Sequence, residues 1–173
     1  MADEFKFENE DIPEERVFQN PLDSDEDSPE EELNVEEKEV KVMGVYEHKE
    51  QGNDQLTNFF VLLRDGSGRS VLIWIGRFEA MAISLALEGT SADRPITHDL
   101  LLNAINRLGG TIDRILIDDL WNNTYYAKVS VVSNGKTIDI DSRPSDAIAL
   151  SLRAKAPIYM IEGVLEKAAV KEE

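Results

Sequence analysis

The stretch Asp141–Arg153, DSRPSDAIALSLR, decides the fold because its apolar half has a near copy earlier in the chain. Residues 147–153 read AIALSLR, and residues 82–88, 65 positions earlier, read AISLALE. Both segments are apolar almost all round, with Ala and Ser where larger residues are usual. Helices of this kind lie inside a fold, where small side chains let a helix or a sheet approach closely. The sequence therefore predicts two equivalent central helices.

Three strand-like segments precede each of these helices, and turn signals separate them. They are VKVMGVYE, TNFFVLLRD and RSVLIWIG in the first half, and TIDRILIDDL, TYYAKVSVV and KTIDID in the second. DGSGR and NG, between the last two strands of each half, predict hairpin turns. The halves match in order at offsets of 62 to 66 positions, which indicates an internal duplication. We predict an α+β fold of two β-β-β-α units, with mostly antiparallel sheets around central helices, and PIYMI as an added edge strand.

Helix boundaries also follow from local signals. Thr97 is the expected N-cap of a separate helix, whose apolar stripe comprises Leu100, Leu101, Ala104, Ile105 and Leu108. Pro144 fits the first position of the second repeat helix, because its missing N–H needs no partner there. A further helical stretch is expected from Glu162.

The charge of the chain is concentrated at its N-terminus. Residues 1–40 hold 17 of the 35 acidic residues but only 3 of the 18 basic ones, so the rest of the chain is near neutral. We expect residues 1–36 to be a disordered acidic tail and residues 37–173 to be one domain. The net charge of -17 therefore does not exclude a nucleic-acid partner. A sharper hypothesis is that the tail competes with a polyanion for a groove on the domain.

Several chemistries and locations are excluded or disfavoured. The chain has no cysteine, which rules out disulfides and thiolate sites. It shows no signal peptide and no run of about 18 apolar residues, so we expect a cytoplasmic protein without membrane contact. GxxxxGK[ST], GxGxxG and HExxH are absent, and only two histidines are present.

Carboxylates at strand ends and helix starts are the remaining side chains that could carry out catalysis or bind a metal. Asp139 and Asp141 alternate with Ile138 and Ile140, so the two acids are predicted to share one face while the isoleucines are buried. Oxygen ligands in such places suit Mg²⁺ or Mn²⁺. Arg143 could serve the two acids as well as a metal, and a solvated strand edge explains them without any site.

Two acids open the repeat helices at related positions, Glu79 and Asp146. Each is a candidate catalytic carboxylate, although the helix dipole alone would explain both. His98 lies at a helix N-terminus, where its neutral form is favoured, and is the candidate base. An ordinary surface histidine is the alternative.

Basic and aromatic residues supply candidate substrate contacts. Arg77 and Arg143 could bind phosphate, with Ser145 in the first turn of the second repeat helix. The aromatic strand residues Trp74, Tyr125 and Tyr126 could stack on bases, although such residues more often belong to a core.

Three blocks of the sequence resemble those of the bifunctional nuclease domain family of bacteria and plants. They are IWIGRFEAMAISLALEG, RPITHDLL and DSRPSDAIALSLRAKAPIYM, and the resemblance extends over residues 38–168. It implies cleavage of both RNA and DNA. The family positions that it transfers are Glu79, His98, Asp99, Arg143, Ser145 and Asp146.

We therefore expect a nuclease that hydrolyses phosphodiester bonds of RNA and DNA with a divalent metal. The alternative is a non-catalytic module that binds a nucleic acid, a small ligand or a protein. A homodimer without chemistry is a third possibility, since central helices in a small domain often complete a core across a two-fold axis.

Overall fold

The computed structural model describes residues 35–49, 57–90 and 92–170. The predicted tail, residues 1–36, lies outside these ranges except for its last two residues. Residues 32–173 form one unit. The described elements are β1 (Glu37–Lys49), β2 (Thr57–Asp65), β3 (Ser70–Ile75), α1 (Arg77–Leu87), α2 (Thr97–Arg107), β4 (Gly110–Trp121), β5 (Thr124–Ser133), β6 (Lys136–Ser142), α3 (Pro144–Ala154), β7 (Ile158–Ile161), α4 (Glu162–Ala168) and β8 (Ala169–Val170).

The predicted α+β class and the two β-β-β-α units are confirmed. β1, β2 and β3 form one antiparallel meander, and β4, β5 and β6 form the other. The β5–β6 hairpin turns at Asn134 and Gly135, whose φ angles of 51° and 73° are those that an Asn-Gly turn supplies. All eight strands belong to one sheet of order β6-β5-β4-β7-β1-β2-β3-β8.

The segment PIYMI corrects one expectation. β7 is not an edge strand but the strand that joins the two units, antiparallel to β1 and parallel to β4. Its residues Ile158, Met160 and Ile161 are buried. The run is short and apolar, which matches a strand covered on both faces rather than an exposed edge.

The two repeat helices occupy the centre. α3 contacts α1, α2, β4 and β5, and most of its residues are buried. The sheet curves around them: the Tyr125 hydroxyl oxygen lies 3.5 Å from the Leu72 carbonyl oxygen, although β5 and β3 are five strands apart and a flat sheet would separate them by about 24 Å. The side chains that are fully buried include Leu63, Ile83, Ile115, Ile117, Ile148, Met160 and Leu165.

α2 lies outside this centre, and two predictions for it were wrong. None of its residues is buried, and Leu100, Leu101 and Leu108 of the predicted stripe are exposed. Ile105 of the stripe does pack partly against the core, as does Leu102, which the predicted stripe did not include. Thr97 is the first helical residue and not the N-cap; Ile96 precedes the helix, and its backbone N–H donates to the Asp99 carboxylate at 3.1 Å.

β6 is the edge strand of the sheet, which overturns the predicted burial of its isoleucines. Ile138 and Ile140 are both about half exposed. The alternation of side chains is as expected, but β6 pairs only with β5 and its faces gain little cover. Alternation thus identified the strand without revealing that it lay at an edge.

A partly buried ion pair links the β2–β3 turn to α4. Arg69 donates to both carboxylate oxygens of Glu162, at 2.6 and 2.9 Å, and to Asp65 at 2.9 Å. Burial opposes the charge of Asp65, but hydrogen bonds from Ser67 and Arg69 outweigh it and lower the pKa of this carboxyl to about 2. The hydrogen bonds from Arg69 also lower the pKa of Glu162.

None of the helices within the described ranges has the length and apolar character that a membrane span requires.

Both carboxyls have folded-state pKa values below their unfolded values, so the stability that they contribute is complete above about pH 4.5 and is lost as the pH falls towards about 2. Glu162→Gln should remove part of this acid dependence and lower the free energy of unfolding by about 2–3 kcal/mol, because Arg69 loses its partner. Urea unfolding at a series of pH values measures both effects. Glu166→Gln, on an exposed position of α4, is the control; equal stability of the two variants would contradict a structural role for the ion pair.

Candidate functional site

The N-termini of α1 and α3 meet at one arginine. Glu79 and Asp146 are each the third residue of their helices, so the duplication brings two carboxylates to equivalent places. Arg143, which precedes α3, donates from Nη1 to Glu79 at 2.9 Å, from Nε to Asp146 at 2.7 Å and from Nη2 to Asp146 at 3.1 Å. Its guanidinium offsets the repulsion between the two acids, and its side chain is still 65% exposed.

His98 joins this cluster from α2. Its Nε2 lies 3.1 Å from Oδ1 of Asp146, and its side chain is only 14% exposed. When Nε2 carries the proton, its N–H donates a hydrogen bond to Asp146 and Nδ1 keeps a free lone pair. Glu79, His98, Arg143 and Asp146, which we call the acid–base cluster, are thus connected through hydrogen bonds.

The charges of the cluster stabilise one another. Burial opposes ionisation of Asp146, but the hydrogen bonds from Arg143 and His98 outweigh it, and the pKa of its carboxyl is lowered. The hydrogen bond to Asp146 is the main reason that the pKa of Arg143 is raised. The contact between Arg143 and Asp146 therefore favours the charged forms of both side chains.

Glycine at position 76 gives Glu79 the space that it occupies. Gly76 precedes α1 with φ -73°, which any residue can adopt. A Cβ atom at this position would overlap the carboxylate of Glu79, which folds back over the start of its own helix. Glycine at position 76 therefore leaves room for the Glu79 carboxylate, and its backbone angles do not explain its presence.

Arg153 was missed as a site-forming residue in the sequence. Its side chain is 9% exposed and donates to the Ala82 carbonyl of α1 at 3.1 Å, to the Ala149 carbonyl of α3 at 2.8 Å and to Asp99 of α2 at 2.7 Å. These bonds hold Asp99, and with it the neighbouring His98, against the two central helices. The available signal was a lone basic residue in the last turn of an apolar helix, which the helix dipole explains equally well.

The other residues that the sequence predicted for the site lie outside the acid–base cluster. Ser145 lines a neighbouring cleft that also contains Glu79 and Arg143. Arg77 is exposed and lines a different cleft, over β1, β2 and α1. Asp139 and Asp141 lie on the exposed edge strand β6, where Asp139 accepts a hydrogen bond from Ser130 at 2.7 Å.

The predicted metal ligands, Asp139 and Asp141, lie on β6, and their binding of Mg²⁺ or Mn²⁺ stays a prediction. The part of the chain that the structure describes contains no group of three His, Asp or Glu side chains placed to hold a metal ion. Oxygens of Glu79 and Asp146 instead accept hydrogen bonds from Arg143. As arranged, these residues do not fit Mg²⁺ or Mn²⁺, which favour several open oxygen ligands.

Three clefts meet at Arg143. One of about 290 Å³ runs between α1 and α2 and includes His98 and Asp146. A second, of about 630 Å³, lies under α2 and includes His98, Asp141 and Leu101. The third, of about 340 Å³, separates the end of β3 from the β4–β5 hairpin. Arg143 is therefore accessible from several directions, and His98 lines two of the three clefts.

The fold and this cluster define an internally duplicated α+β domain with an arginine-centred polar site. Residues 61–173 match the bifunctional nuclease domain family, and the chain belongs to this family. An uncharacterized protein of Mycobacterium tuberculosis is 40% identical over 131 residues, which is 75% of each chain. Bifunctional nuclease 1 of Oryza sativa subsp. indica is 27% identical over 112 residues, which is 62% of this chain and 34% of the relative. Bifunctional nuclease 1 of Arabidopsis thaliana is 24% identical over 101 residues, 57% of this chain and 31% of the relative.

Arg153→Met should lower the free energy of unfolding by about 2–4 kcal/mol, because two buried carbonyls and the partly exposed Asp99 carboxylate, on three helices, lose their donor. Urea denaturation followed by circular dichroism measures the change. Arg107→Met, in the exposed last turn of α2, should change stability by less than about 0.5 kcal/mol. Similar losses in the two variants would show that Arg153 does not join the helices.

Arg143→Gln should raise the pKa of Asp146, since burial still opposes its charge while its main hydrogen-bond donor is lost. In the parent protein, the stability gained from ionised Asp146 is present above about pH 4 and is lost as the pH falls through the lower folded-state pKa. Carboxyl ¹³C chemical shifts measured against pH report this pKa. Arg94→Gln, an exposed arginine before α2, should leave it unchanged; an unaltered Asp146 titration in Arg143→Gln would refute the assignment.

Proposed function

We propose that this domain hydrolyses phosphodiester bonds of RNA and DNA at the acid–base cluster. The observation that supports this most is the contact of one exposed arginine, Arg143, with an acid held by a partly buried histidine. Family membership and the names of the plant relatives point to the same activity.

Arg143 would bind the phosphate. Three of its five N–H groups donate to Glu79 and Asp146, which leaves two for phosphate oxygens. The two carboxylates fix the plane of the guanidinium, so these free donors have a set direction. Such preorganised donors stabilise negative charge that develops in the transition state.

His98 would move the proton. Asp146 orients its ring through Nε2, and Nδ1 can accept a proton from the attacking hydroxyl, either water or the 2′-hydroxyl of RNA. Proton transfer from the resulting imidazolium to the leaving oxygen returns the histidine to its neutral form. Glu79 and Asp146 act as positioning residues in this scheme.

Use of Mg²⁺ or Mn²⁺ stays a prediction from the sequence. The mechanism above uses no metal, because Glu79 and Asp146, the two carboxylates of the cluster, bind Arg143. A metal would require Arg143 to release at least one of them. The assay below separates the two arrangements.

Purified full-length protein should cleave single-stranded RNA and DNA oligonucleotides, and His98→Gln and Arg143→Gln should each lower kcat about 100-fold or more. Asp113→Asn, an exposed acid on β4, is the matched control and should retain activity. Parallel reactions contain Mg²⁺, Mn²⁺ or EDTA.

The outcomes are distinct. Cleavage that persists in both cluster variants would refute the site. Loss of all cleavage in EDTA would favour the metal arrangement over the scheme above. Binding without cleavage in every condition would refute the enzyme and favour a nucleic-acid-binding module.

A further inference from the structure

Three aromatic rings form a continuous row across the first meander. Tyr46 of β1 is paired with Phe60 of β2, which is paired with Trp74 of β3. The centroids of Tyr46 and Phe60 are 5.5 Å apart at an interplanar angle of 23°, and those of Phe60 and Trp74 are 5.2 Å apart at 66°. The open ring surface therefore lies mainly on Tyr46 and Trp74, at the two ends of the row. We call these three residues the aromatic row.

The aromatic row lies on the face of the meander opposite its core. Its neighbours Val61 and Ile73 alternate with it along the strands and are buried. Tyr46 is 44% exposed and Trp74 57% exposed, and Phe60 between them is partly exposed. Aromatic surface left open in this way is characteristic of a binding surface.

The aromatic row leads to the acid–base cluster. Trp74 lines the cleft between the end of β3 and the β4–β5 hairpin, and Glu79 and Arg143 line the same cleft. Two residues, Ile75 and Gly76, lie between Trp74 and the start of α1. A strand that rests on the aromatic row and continues past Trp74 therefore reaches the cleft that Arg143 also lines.

From this continuity, and resting on the proposed function, we propose that the aromatic row is a stacking platform for the unpaired bases of a single-stranded nucleic acid. Aromatic side chains on adjacent strands of a sheet bind successive bases through their ring faces in other nucleic-acid-binding domains. The bases of a duplex are already stacked on one another and do not present their faces. The aromatic row therefore binds single strands in preference to duplexes, and Arg143 binds the phosphate that follows the stacked bases.

The chain offers a direct optical test, because it contains two tryptophans, Trp74 and Trp121. In a full-length Trp121→Phe, Asp146→Asn protein, a ten-nucleotide single strand should quench the fluorescence of Trp74, and a matched duplex should not. The same titrations on a chain with the natural Asp146 use phosphorothioate-linked strands, which resist cleavage. This second series guards against a folding defect caused by Asp146→Asn.

Affinity is measured by fluorescence anisotropy of labelled strands. Trp74→Leu should raise Kd on the order of ten-fold for single strands. Trp121→Leu, which removes a tryptophan that is 68% exposed at the end of β4, should leave Kd unchanged.

Equal effects of the two leucine variants, or equal quenching by duplex, would overturn the platform. A change of molar mass in light scattering on Trp74→Leu would assign the aromatic row to a protein interface and would also overturn it. If cleavage proceeds normally in Trp74→Leu with unchanged Kd, the platform fails while the proposed function stands. If the unsubstituted protein neither binds nor cleaves any strand, both fail.

Discussion

The close packing of α1 against α3 is the contact on which the rest of the molecule depends. Buried alanines on the two helices, Ala80 and Ala82 on one and Ala147 and Ala149 on the other, leave little bulk in this central layer. With the helices held together, their N-termini and the carboxylates at their third positions converge. Two acids in that arrangement would repel each other, and the guanidinium of Arg143 offsets this repulsion by forming an ion pair with each of them.

The duplication explains the symmetry of the site, and divergence between the repeats explains its chemistry. Gly76 and Arg143 precede α1 and α3 at equivalent positions. Glycine makes room for the carboxylate of Glu79, and arginine supplies the cation that both acids bind. Neither half alone contains the cluster, and His98 comes from α2, which is not one of the two repeat helices.

Much of this was readable in the sequence. Periodicity, turn residues and the internal repeat gave the strands, the central helices and the start of α3 at Pro144, because each depends on neighbours in the chain. The errors concerned what covers each element: Ile138 and Ile140 are exposed because β6 is an edge, and β7 is internal because it pairs with two distant strands. Arg153 was overlooked for the same reason, since its three acceptors lie on three helices.

The position of β7 between the two meanders has a consequence for synthesis of the protein. β1 and β4 are made early, yet each pairs along one edge with residues 158–161. Until those residues leave the ribosome, both strands have an unpaired edge, and such edges are templates for aggregation. The domain therefore completes its sheet only after the strands of both meanders have been synthesised.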